Sequence, residues 1–120
     1  MPALLCLCSC PDEATAERIA HALVTERLAA CVNTLPGMGA VYRWQGRVES
    51  ATEVLLMAKT MDHREPALRA RIQALHPYEL PEVVAVQLDA GLPAYLAWIA
   101  ASTSGGEAEA GPATDRTPSA

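Results

Sequence analysis

The pattern of apolar and polar residues changes sharply within the first thirty positions. Residues 3–10 form a continuous apolar run, which is typical of a buried strand. Asp12 follows Pro11 and can cap a helix, whose acidic start suits the positive end of the helix dipole. An apolar stripe then recurs at helical spacing, at Ala16, Ile19, Ala20 and Leu23. The pattern predicts a buried strand followed by an amphipathic helix.

Two long β-rich stretches come next. Residues 31–44 are rich in strand formers but contain Pro36-Gly37, so we expect one long strand with a bulge or bend at that point. Gln45-Gly46 is typical of a tight turn. Residues 47–60 then predict a second strand, and its densest apolar stretch is at 54–58.

The second half of the chain repeats the helix-then-strand order. Residues 62–76 predict a helix, which Pro77 must end because proline disfavours helix in the residue before it. Residues 83–88 predict the last strand. A short final helix follows, with Pro93 in its first turn.

This order of elements is βαββαβ with an extra C-terminal helix, which is the α+β ferredoxin-like sandwich. The first, third and last strands are apolar on both alternations. In the first strand, Leu5 and Leu7 face one way while Leu4, Cys6 and Cys8 face the other. A sheet that is apolar on both faces must be covered on both. Two main helices cover only one face, so the sequence predicts that another subunit covers the second.

Composition and charge narrow the classes of function. The chain is 51% hydrophobic and 19% charged, with a net charge of −5 and no basic patch, so we expect neither nucleic acid nor an anionic membrane as a partner. No segment has the roughly 20 apolar residues that a membrane span needs. The first residues lack the basic region of a secretory signal. We therefore expect a cytoplasmic protein.

The composition changes again near the C-terminus. Residues 103–120 contain no Leu, Ile, Val, Met or aromatic residue and are expected to form a disordered tail. Residues 1–102 are then the single folded domain. Truncation after Ser102 should leave oligomer size and melting temperature nearly unchanged.

Three of the four cysteines alternate along the first strand. Cys6, Cys8 and Cys10 would all point to one face, with neighbours roughly 6.6 Å apart and parallel Cβ vectors. That geometry suits a disulfide poorly, so reduced thiols in a reducing compartment are expected. The spacing also differs from the C-x-x-C pairs of structural zinc sites.

Seven short motifs occur in order between residue 4 and about residue 100. They are CSCPDEA at 8–14, LAACVN at 28–33, YRWQG at 42–46, EVLL at 53–56, KT at 59–60, HPYELPE at 76–82 and YLAW at 95–98. Together they resemble the CutA family, known as divalent-cation tolerance proteins. The resemblance implies a homotrimer similar in architecture to PII signalling proteins. It also implies a link to copper and other divalent metals, with no known enzymatic reaction and no organic cofactor.

The resemblance places a candidate metal site at Cys8 and His76, which match the family positions associated with copper. Thiolate and imidazole are suitable copper ligands. Some metal-binding members carry a second histidine where this chain has Leu75, so Cys6 or Cys10 would have to complete the site. The alternative interpretation is structural. In it, Cys8 is a small buried hydrophobic residue and His76 is a cation at the negative end of a helix dipole.

The segment 76–82 is a second candidate site, because it packs two prolines, an aromatic residue and two carboxylates together. It is a candidate lining for a cleft between subunits. The candidate cleft residues are Tyr42, Trp44, Lys59, Tyr78, Glu79 and Glu82. Glu79 and Glu82 would suit a hard metal ion. The alternative is a rigid helix-to-strand connection whose carboxylates bond backbone amides or Lys59.

The leading hypothesis is a non-enzymatic homotrimer for tolerance of divalent metals that binds copper. The alternative is a PII-like sensor or scaffold that binds a small molecule or protein between subunits, although no phosphate-binding loop motif is present. Cys10 and His76 could form a catalytic pair, but no orienting residue is evident. An acylphosphatase-like hydrolase is least favoured, because its arginine and asparagine have no evident match.

Overall fold

The computed structural model of the chain describes residues 2–105. Its elements are β1 (Ala3–Cys10), α1 (Glu13–Thr25), β2 (Cys31–Trp44), β3 (Arg47–Met61), α2 (Glu65–Leu75), β4 (Val83–Gln87) and α3 (Pro93–Ser102). The predicted ferredoxin-like order with an extra helix is confirmed. The predicted helix at 62–76 begins instead with a short 3-10 turn at Asp62–Arg64, and α2 ends one residue before His76. No helix in the described part of the chain is long and apolar enough to cross a bilayer.

The strands form one antiparallel sheet in the order β2-β3-β1-β4, so β1 lies between β3 and β4. Helices α1 and α2 pack on one side of it. We call this side the covered face, and its sheet residues are Cys6, Cys8, Cys10, Val54, Leu56 and Ala58. These side chains meet Ile19 and Leu23 of α1 and Leu68 and Ile72 of α2 in the main core. Asp12 caps α1 as predicted, since its carboxylate accepts the Thr15 N–H at 2.8 Å.

The other side of the sheet carries a second set of apolar residues. We call it the open face, and it consists of Leu5, Leu7, Leu55, Met57, Val84 and Val86. Val84 and Val86 are each 51% exposed. Helix α3 covers only one end of this side, where Ile99 packs with Ala3 and Met61. The predicted two-sided apolar character is therefore present in the folded chain.

Strands β2 and β3 extend beyond the rest of the sheet as a two-stranded ribbon. The pairing of β1 with β3 stops at Cys10 and Val54, while β2 and β3 remain paired as far as Trp44 and Arg47. The register shifts between Leu35 and Met38, which confirms the predicted bulge.

The hairpin turn that closes the ribbon has two residues with positive φ. They are Gln45 at 52° and Gly46 at 79°, as a two-residue type I′ turn requires. The turn predicted at these two positions is confirmed.

The first residue of the predicted tail is part of the fold. Thr103 is fully buried, and its Oγ1 donates a hydrogen bond to the Ile99 carbonyl at 2.9 Å. Packing therefore continues one residue past the predicted boundary at 102. The part of the predicted tail from residue 106 onward lies outside the described residues.

Candidate metal centre

The three alternating cysteines of β1 all lie on the covered face, as predicted. Cys8 and Cys10 are completely buried and Cys6 is 1% exposed. All three are free thiols, and so is the partly buried Cys31. Because β1 is the second strand from one edge and helices cover this face, the sulfurs lie inside the core.

His76 reaches the same region from the end of α2. Pro77 prevents the helix from continuing, and His76 takes an extended backbone conformation. Its ring then folds over β1, where Nε2 lies 2.7 Å from the Ser9 carbonyl oxygen. On the other side of the ring, Nδ1 accepts the Tyr78 N–H at 3.1 Å.

These two hydrogen bonds define the protonation of His76. A backbone N–H can only donate, so Nδ1 must carry a lone pair, and a carbonyl can only accept, so Nε2 must carry the proton. The ring is therefore neutral. The structural alternative placed His76 at the end of the helix, and His76 is indeed the C-cap of α2, but its ring is buried and makes these two hydrogen bonds as a neutral imidazole instead of a cation.

Cys8, Cys10 and His76 come together as a group of possible ligands. Their metal-binding atoms all lie within 4.8 Å of one another, and all three residues are buried. Two ligands at about 2.3 Å from a shared ion are at most roughly 4.6 Å apart, so the spacing is close to what one ion needs. Cys10, not Cys6, is the third member. Leu75 packs against the main core and offers no ligand atom.

The two sulfurs influence each other's ionisation. A hydrogen bond with Cys10, together with burial, raises the pKa of the Cys8 thiol far above its usual value. The same hydrogen bond lowers the pKa of Cys10, although burial and the Asp12 carboxylate act in the opposite direction. Burial and Glu65 raise the pKa of Cys6 to about 11.

A buried carboxylate from β3 lies on the open-face side of the sheet, opposite the cysteines. Glu53 is 8% exposed, and it accepts hydrogen bonds from Ser9 Oγ at 2.6 Å and from the Tyr78 hydroxyl at 2.7 Å. Burial and the Glu53 hydrogen bond raise the pKa of Tyr78. The rings of Tyr78 and His76 are 4.8 Å apart, so this network touches the cysteine–histidine group through two residues.

The sequence analysis did not identify Glu53 and Ser9 as site residues. A signal was present, because Glu53 is an acidic residue at the start of the densest apolar stretch of β3. Its partners could not be read from the sequence, since Ser9 is 44 positions away and Tyr78 is 25 positions away.

Within one chain, only some of the predicted cleft residues lie near one another. Besides burial and Glu53, an electrostatic interaction with Tyr42 contributes to the raised pKa of Tyr78, so Tyr42 and Tyr78 are near each other. Glu82 is close enough to Cys8 to raise the pKa of that thiol. Trp44 lies at the end of the ribbon, paired with Arg47, and Glu79 is exposed on the loop.

Lys59 is separate from these residues. It hydrogen-bonds Asn33 and lies 3.9 Å from the Cys31 sulfur, six positions along β3 from Glu53. The structural alternative allowed a bond between Lys59 and the carboxylates of the 76–82 loop. Within one chain Lys59 instead contacts Asn33 and Cys31.

Comparison with known proteins gives a consistent result. Residues 4–102 match the family model described as CutA1 divalent ion tolerance protein. The chain is 50% identical over 97 residues to the divalent-cation tolerance protein CutA of Thermus thermophilus, covering 81% of this chain and 94% of that protein. It is 45% identical over 91 residues to protein CutA of Mus musculus, covering 76% of this chain but only 51% of that protein.

Solved structures agree with the sequence comparison. The crystal structure of CutA from Xylella fastidiosa superposes with a TM-score of 0.80 at 49% identity. The match covers 82% of this chain and 95% of that one. The likeness therefore extends through the whole βαββαβ core.

Proposed function

Because the chain belongs to the CutA1 divalent-ion tolerance family, we propose that it acts in metal tolerance as a homotrimer that binds copper directly at Cys8, Cys10 and His76. One observation carries the copper proposal. Three potential ligands from two distant parts of the chain lie within 4.8 Å of one another in the core. Within residues 2–105 this is the one group of three such side chains close enough to share an ion.

The donor set fits copper better than a hard divalent cation. Thiolate and imidazole suit copper, whereas Mg²⁺ and Ca²⁺ take oxygen ligands. When bound, a copper ion would supply a strong link between β1 and the end of α2. The chain's own residues hold the two sulfurs in fixed positions and exclude water from them.

A copper titration tests this proposal. Calorimetry and native mass spectrometry on untagged protein should show one copper per chain, and Cys8→Ala should abolish it. Cys6→Ala is a matched control, because Cys6 is buried on the same face of the same strand but lies outside the group. Equal copper binding by Cys8→Ala and wild type would contradict the proposal.

The open face supports the trimer. Six apolar residues on three strands are left uncovered or half-covered, and an exposed apolar surface of this kind marks an interaction site. The ribbon of β2 and β3 also offers unpaired strand edges to a neighbour. Light scattering should report three times the chain mass of 12.7 kDa. A stable monomer at micromolar concentration would rule this part out.

The proposal includes no catalytic step. A Cys–His pair needs an imidazole nitrogen that can take the thiol proton. In His76, Nδ1 accepts the Tyr78 N–H and Nε2 is protonated toward Ser9, so no nitrogen faces the Cys10 thiol as a base, and copper ligation by His76 would have to replace one of these two hydrogen bonds. We expect iodoacetamide to alkylate neither Cys10 nor Cys6 in the native protein, because both are buried, and rapid alkylation of native Cys10 would argue for an activated thiol.

We also propose a cytoplasmic location, supported by four free cysteines of which three are closely spaced. Thiols trapped by acid quenching of expressing cells should all label as reduced. Oxidised cysteines in that experiment would favour an oxidising compartment.

A second candidate function is PII-like binding of a small molecule or protein between subunits. It is favoured by Tyr42 and Tyr78, which are 43% and 40% exposed and lie close together beside the buried Glu53. Native mass spectrometry of the untagged oligomer would detect a retained molecule. Its loss in Tyr78→Ala, with copper binding intact, would assign it to this site.

A further inference from the structure

Glu53 is a buried carboxylate whose hydrogen-bond partners carry no positive charge. It is 8% exposed, and its two oxygens accept one hydrogen bond each, from Ser9 Oγ at 2.6 Å and from the Tyr78 hydroxyl at 2.7 Å. Among the ion pairs between residues 2–105, none includes Glu53. A carboxylate is rarely buried without a positive partner, because removing its charge from water is costly. The described part of the chain therefore leaves this charge without a counter-charge.

The charges that act on the surroundings of Glu53 are also negative. The hydrogen bond with Cys10 and burial raise the pKa of the Cys8 thiol, and the charges of Glu82 and Glu53 raise it further. Burial raises the pKa of Tyr78, and the hydrogen bond and charge of Glu53 add to that rise. The side chains whose charges act on these two groups are all acidic. The potential at this position is therefore negative and favours a cation.

Two tyrosine rings lie beside this carboxylate and remain open to solvent. Tyr42 is 43% exposed and Tyr78 is 40% exposed. Tyr42 pairs with Glu49 of β3, and Glu49 and Glu53 lie on one side of that strand because side chains alternate. Tyr78 reaches the same side through its hydrogen bond to Glu53. Since the faces of aromatic rings attract cations, the rings and the carboxylate favour the same kind of ligand.

A guanidinium group suits this arrangement better than an ammonium group. A carboxylate has about four lone-pair positions, and Glu53 uses one on each oxygen. One position is left on each oxygen, which matches the two parallel N–H groups of a guanidinium. The guanidinium is also planar, weakly hydrated and able to stack on aromatic rings, whereas an ammonium is compact and strongly hydrated.

We propose that Glu53, Tyr42 and Tyr78 form a binding site for a guanidinium group, with the carboxylate as acceptor and the two rings as stacking faces. This inference rests on the second candidate function, binding beside these residues, and specifies the class of ligand. The guanidinium belongs either to a free arginine derivative or to an arginine of a neighbouring copy. In this chain the exposed ribbon carries two arginines, Arg43 and Arg47.

Calorimetry on the full chain tests the site with N-acetyl-arginine amide and N-acetyl-citrulline amide. The citrulline derivative has nearly the same shape without the charge. Wild type should bind the arginine derivative at least about 10-fold more tightly, because hydrogen bonds between charged groups are about twice as strong as neutral ones. Glu53→Gln should remove this preference. Tyr42→Leu changes an exposed ring and should lose about 2–5-fold in affinity for the arginine derivative.

Glu17→Gln is the control for a change in net charge. Glu17 is an exposed carboxylate on α1, on the other side of the sheet, so its removal should alter the affinity by less than about 2-fold. A loss in Glu53→Gln that Glu17→Gln does not share would assign the preference to this site.

A second set of variants tests an arginine from a neighbouring copy. If that group already fills the site, wild type should bind neither derivative, and Arg43→Gln or Arg47→Gln should create binding of the arginine derivative. Adding Glu53→Gln to that variant should abolish the new binding. Binding by wild type itself would instead assign the site to a free ligand.

The outcomes separate this inference from the function it rests on. Equal affinity of wild type for the two derivatives would overturn the guanidinium site while leaving ligand binding beside Tyr42 and Tyr78 intact. Failure of wild type and of both arginine variants to bind the arginine derivative would also overturn it. In that case, another molecule retained in native mass spectrometry and lost in Tyr78→Ala would leave the second candidate function standing, and its absence would remove both.

Discussion

The two faces of the sheet contain similar residues in very different surroundings. Leu56 faces the helices and is completely buried, whereas Leu55, the same residue type one position earlier, faces the open side and remains partly exposed. On β1 the same contrast holds between buried Cys8 and partly exposed Leu7. One chain therefore completes a core on one side of the sheet and leaves the other side unfinished.

The connections between strands explain this difference. Helix α1 connects β1 to β2, and α2 connects β3 to β4, with one strand skipped each time. Crossovers between parallel strands of one sheet are almost always right-handed, so both helices lie on the same face. The residues of the open face must then find their cover elsewhere, which is the basis of the trimer proposal.

Truncation of the matched leucines should give the largest effect. Leu56→Ala should cost about 2–5 kcal/mol of unfolding free energy, because it opens a cavity in a packed core. Leu55→Ala should cost less and should weaken the oligomer, so its effect should depend on protein concentration. Denaturant unfolding at two concentrations measures both. Equal, concentration-independent losses would mean that the open face is already a core within one chain.

A charge on β4 tests the open face more directly. Val86→Asp should cost about 1–3 kcal/mol per chain if a neighbouring subunit buries it, and the scattering mass should fall. The control Ala70→Asp lies on the exposed side of α2 and should lose only about 0.5 kcal/mol of helix propensity. If the two variants lose the same stability and keep the same scattering mass, the open face is exposed to solvent and is not an interface.

Loss of the hydrogen bond between Tyr78 and Glu53 should have a smaller effect on stability. Tyr78→Phe removes the hydroxyl that donates to Glu53, and it should cost about 0.5–1.5 kcal/mol because water can replace a donor at this half-exposed position. Burial and Glu53 raise the pKa of Tyr78 above its ordinary value of 10.0. The stabilisation that comes with this shift is present below pH 10 and is lost as pH rises toward the folded-state pKa.

Phenolate absorbance and alkaline unfolding of the two proteins measure that contribution. Stability of Tyr78→Phe should fall less than that of wild type above pH 10. Glu53→Gln is the partner control, and it should bring the pKa of Tyr78 down, since a negative neighbour is removed. An unchanged alkaline profile in Tyr78→Phe would show that this contact does not hold the loop.

Removal of the helix cap should give the smallest effect. Asp12→Ala deletes the acceptor of the Thr15 N–H at the start of α1, so the melting temperature should fall slightly. The hydrogen bonds with Thr15 lower the pKa of Asp12. The stability it contributes is therefore present above the unfolded-state pKa and disappears as pH falls through the folded-state value. A melting temperature for Asp12→Ala that tracks wild type at neutral pH would show that the cap is dispensable.

Local features of the fold could be predicted from the sequence because their causes are local. The cap at Asp12, the bulge at Pro36-Gly37, the Gln45-Gly46 turn and the helix stop before Pro77 each depend on a few neighbouring residues. The shared face of Cys6, Cys8 and Cys10 follows from the alternation of a strand. The sequence also indicated the two-sided apolar sheet, since both alternations of β1 are hydrophobic.

The composition of the candidate site depended on the tertiary structure. His76 meets Ser9 across 67 positions, and this contact places the ring beside Cys8 and Cys10 rather than Cys6. The Tyr78 N–H then requires the ring to be neutral. The same packing joins Glu53 to Ser9 and Tyr78 and leaves Lys59 apart. Spacing along a chain reports periodicity within one element. It carries no information on the angle at which α2 ends over β1, and that angle is set by the packing of Leu68 and Ile72 against the sheet.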